Sequence, residues 1–294
     1  MSAAFTGTIQ GARDFLGPHR TAGRTIGFVP TMGALHAGHR RLIETARAQS
    51  DVVAVSIFVN PLQFDRAADF ERYARQIPAD LAVCEDAGAD LVFAPSAAEM
   101  YPGQAQTFVE VIGLTDHFCG ASRPGHFRGV TTVVAKLFGI IGPTLAFFGE
   151  KDAQQLAIVK RMTRDLNFPI TMVPVPTVRE PDGLALSSRN VRLTAEERRV
   201  APCLYRALTR AHDLIQSGAV DCDEVIQAAA FELDRPGVRV EYFAFADPET
   251  FEPVAGPIAP NSEKPLLALG AIWLGETRLI DNRLCRFRKL PSSA

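Results

Sequence analysis

The chain has 294 residues, 47% of them apolar and 22% charged, with a formal net charge of −2. That near-neutral balance excludes a protein that grips nucleic acid through a basic excess, and the apolar content excludes a disordered chain. The length fits two domains or one large one.

The five cysteines (Cys84, Cys119, Cys203, Cys222 and Cys285) are scattered and form no C-x-x-C pair. This argues against a disulfide framework or a cysteine-built zinc site and points to a reducing, cytoplasmic setting. The first residues lack a basic segment followed by an apolar one, so no signal peptide is expected. The longest apolar stretches, 52–59 and 137–148, fall short of the roughly 20 residues that a membrane-spanning helix needs.

In chain order, apolar β-type runs alternate with amphipathic ones. Strands are expected at 25–29, 52–59, 91–94, 145–148 and 170–175, with helices at 38–48, 80–87, 130–140 and 153–167. Strands without polar alternation are buried on both faces, so this order predicts a doubly wound, Rossmann-like parallel sheet with helices on both sides. The pattern changes near Val178. Thr194 and Glu197 have capping-box spacing and are expected to open one long helix toward Ser217. A second helix is expected at 223–233, a proline-rich loop at 252–265, and strands at 238–245, 266–274 and 278–281. The expected domains are 1–177, and a smaller α+β domain at 178–294.

Five segments can carry chemistry. The first, at 30–39, joins a strand to a helix and contains His36-Ala37-Gly38-His39. In a doubly wound sheet this is the carboxyl edge, where ligands bind, and a helix N-terminus attracts phosphate. The two imidazoles, three residues apart, are expected to share a face and donate to phosphate oxygens. The second segment, 148–155, holds an equivalent position and contains Gly149, Glu150, Lys151, Asp152 and Gln155. The third is the donor-rich loop Ser187, Ser188, Arg189 and Asn190, after a Pro-Asp-Gly turn. The fourth, Asn60 to Gln63, offers neutral donor–acceptors past the strongest strand. The fifth, with Arg123, His126 and Arg128, reads as a basic loop. Three of the five fall at strand carboxyl ends, so one sheet edge would gather His36, His39, Gln63, Lys151 and Gln155.

Taken together, the runs 30–39, 58–64, 123–127, 148–155, 187–190 and 277–282 resemble the pantoate–β-alanine ligase family, in order and over nearly the whole chain. H-x-G-H alone is shared by a wide nucleotidyltransferase superfamily; the full set is specific. Ala74, Leu186 and Cys119 depart from the family pattern without touching a proposed catalytic group.

The resemblance implies ATP- and Mg²⁺-dependent condensation of pantoate with β-alanine through a pantoyl adenylate, in a cytoplasmic homodimer whose smaller domain acts as a lid. It implies ATP contacts at Met32, Gly33, Ala34, Leu35, His36, Ala37, Gly38, His39, Gly149, Glu150, Lys151, Asp152, Val178, Leu186, Ser187, Ser188 and Arg189. His39, His36 and Lys151 would be catalytic, Gln63 and Gln155 would hold pantoate, and Gln63 would also lie near β-alanine. The metal ligands are undetermined; Asp80 and Asp152 are candidates. Two other readings remain: a different H-x-G-H nucleotidyltransferase acting on a phosphorylated substrate, and a non-catalytic nucleotide-binding module. The first would need a basic pocket where Asn60 and Gln63 are neutral, and the second would bind ATP without releasing pyrophosphate.

Overall fold

The computed structural model describes residues 2–65, 70–258 and 264–287. Its first sheet contains β1 (Ala4–Thr6), β2 (Ile26–Thr31), β3 (Val52–Ile57), β4 (Leu91–Phe93), β5 (Leu145–Gly149) and β6 (Thr171–Val175). All its pairings are parallel, in the order β1-β4-β3-β2-β5-β6. All six residues of β3 are buried, as expected of a strand covered on both faces. Val53, Val55, Val29 and Val92 pack there with Ile43 and Ala46 from helix α2 (Ala37–Gln49). The order reverses between β2 and β5, so the segments leaving these strands flank a topological switch point.

The segment before residue 25, not assigned from the sequence, forms β1 and helix α1 (Ile9–Thr21), whose N-cap Thr8 accepts from the Gly11 amide. Helix α3 (Ile77–Asp86) follows β3, and the short α4 (Ala97–Met100) and α5 (Phe118–Ser122) precede α6 (His126–Ile141). Helix α6 opens at a left-handed Gly125 and closes at a left-handed Gly142. Helix α7 (Ala153–Asp165) lies between β5 and β6 in the chain.

The C-terminal part is α+β. Thr194 and Glu197 form the expected capping box, but the helix they open, α8 (Ala195–Val200), is short. The expected continuous helix is corrected here: Pro202 has no amide to carry on the ladder, and a separate α9 (Cys203–Gln216) starts behind it. Helix α10 (Cys222–Ala230) follows. An antiparallel sheet then forms from β7 (Val238–Ala246), β8 (Pro253–Val254), β9 (Leu266–Leu274) and β10 (Thr277–Cys285), in the order β10-β9-β7-β8. The expected proline-rich loop thus contains a two-residue strand, and its residues 259–263 lie outside those described. Leu204, Leu208 and Ala211 of α9 pack with Ile272 and Leu279 of the sheet in one core.

The chain divides into two compact units. The first contains Met1–Glu150 and Gln154–Val178; the second contains Lys151–Ala153 and Arg179–Ala294. Among the described residues no helix is long and apolar enough to cross a membrane.

Candidate active site

In the first unit, β2 runs straight into the histidine segment. The Thr31 hydroxyl donates to Ser56 O (2.7 Å) and accepts from the Gly33 amide (3.2 Å). Gly33 has φ +80°, and a Cβ there would lie 2.8 Å from Asp80 Oδ2. Ala34 also has positive φ, at 51°. This uncommon backbone is held by Asp80, a buried side chain in the first turn of α3. Its Oδ1 accepts from the Leu35 amide (2.8 Å) and its Oδ2 from the Ala34 amide (3.1 Å). Asp80 therefore anchors the loop from within, through one hydrogen bond at each oxygen.

His36 and His39 lie side by side at the start of α2, but as members of a reciprocal cap rather than as two residues of the first helical turn. His36 is the N-cap of α2 and His39 the third helical residue, and each caps the other's end of the turn. His36 Nδ1 accepts from the Gly38 amide (3.1 Å), and His39 Nδ1 accepts from the His36 amide (3.3 Å). The rings lie 4.1 Å apart. A neutral imidazole that accepts at Nδ1 carries its proton at Nε2, which makes Nε2 the donating end of both rings. These donors stand at the start of a 13-residue helix, where the backbone partial charge is positive.

Gln63 lies in a short 3₁₀ turn after β3 and is buried. Its Nε2 points at Met32 Sδ (3.0 Å), which ties it to the histidine segment, and its Oε1 accepts from Asn60 Nδ2 (3.1 Å). Asn60 is fixed in turn: Nδ2 also donates to Gly129 O, and Oδ1 accepts from the Tyr101 hydroxyl (2.9 Å) and the Leu62 amide. Burial pushes the Tyr101 phenol up to about 12, so it stays protonated and can donate.

Behind Gln63, the expected basic loop is a buttress. His126 Nδ1 lies 2.7 Å from Gln63 O and must donate to it, so Nε2 accepts from Arg123 Nη1 at 3.2 Å. Arg123 also pairs with Asp65 (2.7 Å). Burial disfavours the Asp65 charge, but the hydrogen bond and charge of Arg123 outweigh it and hold that carboxyl below the usual range. Gln154, rather than Gln155, stitches its surroundings: Oε1 accepts from the Cys119 amide, and Nε2 donates to Leu114 O and His117 O. Gln155 is half-buried in the first turn of α7, Gly149 ends β5, Glu150 follows it, and Val178 ends the unit.

The second unit carries the other expected groups. Lys151 and Asp152 lie in a 3₁₀ turn, with Lys151 Nζ 3.7 Å from Asp152 Oδ1. Asn282 Nδ2 donates to Lys151 O (2.9 Å). The loop that follows Leu186 is a turn closed on Ser187, whose hydroxyl accepts from the Arg189 amide (3.2 Å) and whose carbonyl accepts from the Asn190 amide (3.0 Å). Asn190 Nδ2 donates to Ala185 O (3.1 Å). The strand-like run before the loop is pinned by Arg179, which makes a two-armed bond to the buried Asp281 (2.6 and 2.9 Å) and lies 4.7 Å from the Tyr205 ring. Each unit thus gathers its own donors: the histidine segment with Met32 and Gln63 in one, and Lys151 and the Ser187–Arg189 turn in the other. Sequence reasoning passed over Tyr101 and Arg179, named Asp80 only as a metal candidate and gave Asp281 no role, because each acts on residues distant in the chain. Asn282 was inside a quoted motif but carried no role.

The family model described as pantoate–β-alanine ligase matches residues 4–284. A pantothenate synthetase of Moorella thermoacetica is 52% identical over 276 residues, covering 94% of this chain and 96% of that protein. One from Rhizobium meliloti is 49% identical, with 94% of each covered. Among solved structures, a pantothenate synthetase of Thermus thermophilus superposes with a TM-score of 0.88 at 47% identity, covering 95% of this chain and 98% of that one. A pantoate–β-alanine ligase of Francisella tularensis, solved with beta-gamma ATP and β-alanine, gives a TM-score of 0.77 at 32% identity over 96% of this chain and 97% of that one. The chain belongs to the pantoate–β-alanine ligase family, enzymes that condense pantoate with β-alanine in an ATP-dependent reaction.

Proposed function

We propose that this chain makes pantothenate in two steps. The carboxylate of pantoate attacks the α-phosphorus of ATP, forming pantoyl adenylate and releasing pyrophosphate. The amine of β-alanine then attacks the acyl carbon, the bond to the phosphate oxygen breaks, and AMP leaves with pantothenate as product. Neither step needs a covalent enzyme nucleophile; both need in-line positioning and neutralisation of charge that builds on the phosphates.

The observation that carries this reading is the reciprocal cap of His36 and His39, which makes Nε2–H the donating end of both rings at a helix N-terminus. Such donors suit phosphate oxygens. Lys151, Ser187, Ser188 and Arg189 would add further charge and donors to the ATP site. Met32, Gly33, Ala34, Leu35, Ala37, Gly38, Gly149, Glu150, Asp152, Val178 and Leu186 would line it. Gln63, its amide oriented by Asn60, and Gln155 would hold pantoate, and Gln63 would also meet β-alanine.

Among the described residues no group of three or more His, Cys, Asp or Glu side chains could hold a metal ion. Mg²⁺ would be supplied with the nucleotide and would neutralise phosphate charge there, with Asp152 a candidate to meet it. The smaller C-terminal domain expected at 178–294 would shield the reactive anhydride from water as a lid. The enzyme would work as a cytoplasmic homodimer, which sedimentation of the purified protein tests.

With ATP, pantoate, β-alanine and Mg²⁺, the protein should release AMP and pyrophosphate with pantothenate. Release of ADP, or pyrophosphate formation indifferent to pantoate, refutes the adenylate route. His39→Ala and Lys151→Ala should each slow adenylation by about a hundredfold or more, the scale of losing one donor aimed at developing charge.

A further inference from the structure

Residues Asp281 and Asn282 belong to a sequence motif to which the reaction assigns nothing, and they are neighbours on β10. That strand is paired residue for residue with β9, Asp281 opposite Gly270 and Asn282 opposite Leu269. Asp281 is 5% exposed. Its two oxygens take the two arms of Arg179, and Oδ1 also accepts from the Asn282 amide (2.8 Å). Asn282 therefore stands on a rigid strand, beside a fully engaged ion pair. From there its side-chain amide reaches 131 residues back along the sequence to the carbonyl of Lys151.

The receiving segment is a weak one. Glu150–Asp152 is a single 3₁₀ turn, a form with poor internal hydrogen-bond geometry. Its residues Lys151–Ala153 cluster with the C-terminal unit, although the chain on both sides of them belongs to the first. The donor must be an amide of asparagine length: aspartate has no proton to give once ionised, and alanine has no reach.

We propose that Asn282 is the positioning residue for Lys151. It fixes the backbone from which the lysine stem projects, so that the stem starts toward the phosphates from one place and in one direction. This rests on the reading above in which Lys151 acts in adenylation. Asn282 makes no claim on substrate itself; it acts through the lysine.

The test follows pantoate-dependent pyrophosphate release in the wild type, Asn282→Ala, Asn282→Asp, Lys151→Ala and the double variant Lys151→Ala/Asn282→Ala. Asn282→Ala should lower kcat by roughly ten- to hundredfold, the loss expected from displacing a group by about 1 Å, with the KM for pantoate within about twofold. Asn282→Asp, which keeps the shape and loses the donor, should do the same. In the Lys151→Ala background, loss of Asn282 should change the rate by less than about twofold, because residues acting as a unit are not additive.

A wild-type rate in Asn282→Ala or Asn282→Asp overturns the proposal. So does an equal further loss in the Lys151→Ala background, the mark of a merely structural side chain. If Asn282→Ala fails to fold, Asn282→Asp decides alone. Should Lys151→Ala itself adenylate normally, the role of the lysine fails first, and that arm identifies it.

Discussion

Exchange of Asp80 for asparagine is the sharpest probe of how the histidine segment is built. The side chain keeps its size, but one of its two acceptors becomes an NH₂ group facing a backbone amide. In the native protein Oδ1 takes the Leu35 amide and Oδ2 the Ala34 amide, inside a buried site. Losing one partner leaves a buried N–H unpaired, at about 1–3 kcal/mol, and the surviving bond falls from charge-assisted to neutral, at about 1 kcal/mol more. The expected cost is roughly 2–4 kcal/mol, concentrated in residues 33–36, and it corresponds to a roughly 30- to 1,000-fold larger opening equilibrium. Hydrogen exchange read at the Ala34 and Leu35 amides measures it directly. Those two amides should exchange faster by that factor in Asp80→Asn, with amides of β9 unchanged, and pyrophosphate release should slow because His36 and His39 lose their common platform. Native protection of both amides in the variant would refute the anchoring role.

Other consequences are measurable. Gly183→Ala should destabilise the second unit in urea denaturation, because Gly183 has φ +92° and a Cβ would lie 2.0 Å from the Tyr205 ring, the ring that faces Arg179. Tyr101→Phe removes the donor to Asn60 Oδ1 and should cost about 0.5–1.5 kcal/mol, with a rise in the KM for pantoate as the readout of a looser Gln63. His212 is held below its usual 6.5 by burial, then by the charge of Arg283. The folded state thus binds fewer protons than the unfolded one, and stability should fall as pH drops below about 6.5 and level off once both states are protonated. Urea midpoints across that range should lose this component in His212→Gln.

The parallel sheet was legible because strands buried on both faces leave an unbroken apolar run, as at Val52–Ile57. The start of α8 was legible from its capping box, but its length was not, because the local signal at Thr194 says nothing of the break that Pro202 imposes further along the chain. The His36–His39 spacing was visible, and its meaning was open: three residues separate two neighbours on one helical face, and they equally separate an N-cap from the third helical residue. The groups that hold the site could not be read locally. Asp80 is 46 residues from the amide it takes from Ala34, and Tyr101 is 41 from Asn60, so only the folded sheet brings them together. Gln154 and Gln155 are adjacent and chemically identical, and burial alone separates a stitching glutamine from a ligand candidate.

The division of the chain at Val178 is not one that a single cut can reproduce. Residues 151–153 sit in the middle of the N-terminal sequence yet pack with the C-terminal unit. A fragment ending at residue 178 would keep the lysine and discard the asparagine that holds its carbonyl, and the complementary fragment would keep a strand with nothing to grip. Chimaeras between relatives should therefore exchange 151–153 along with everything after 178, or the graft will join a turn to a foreign anchor.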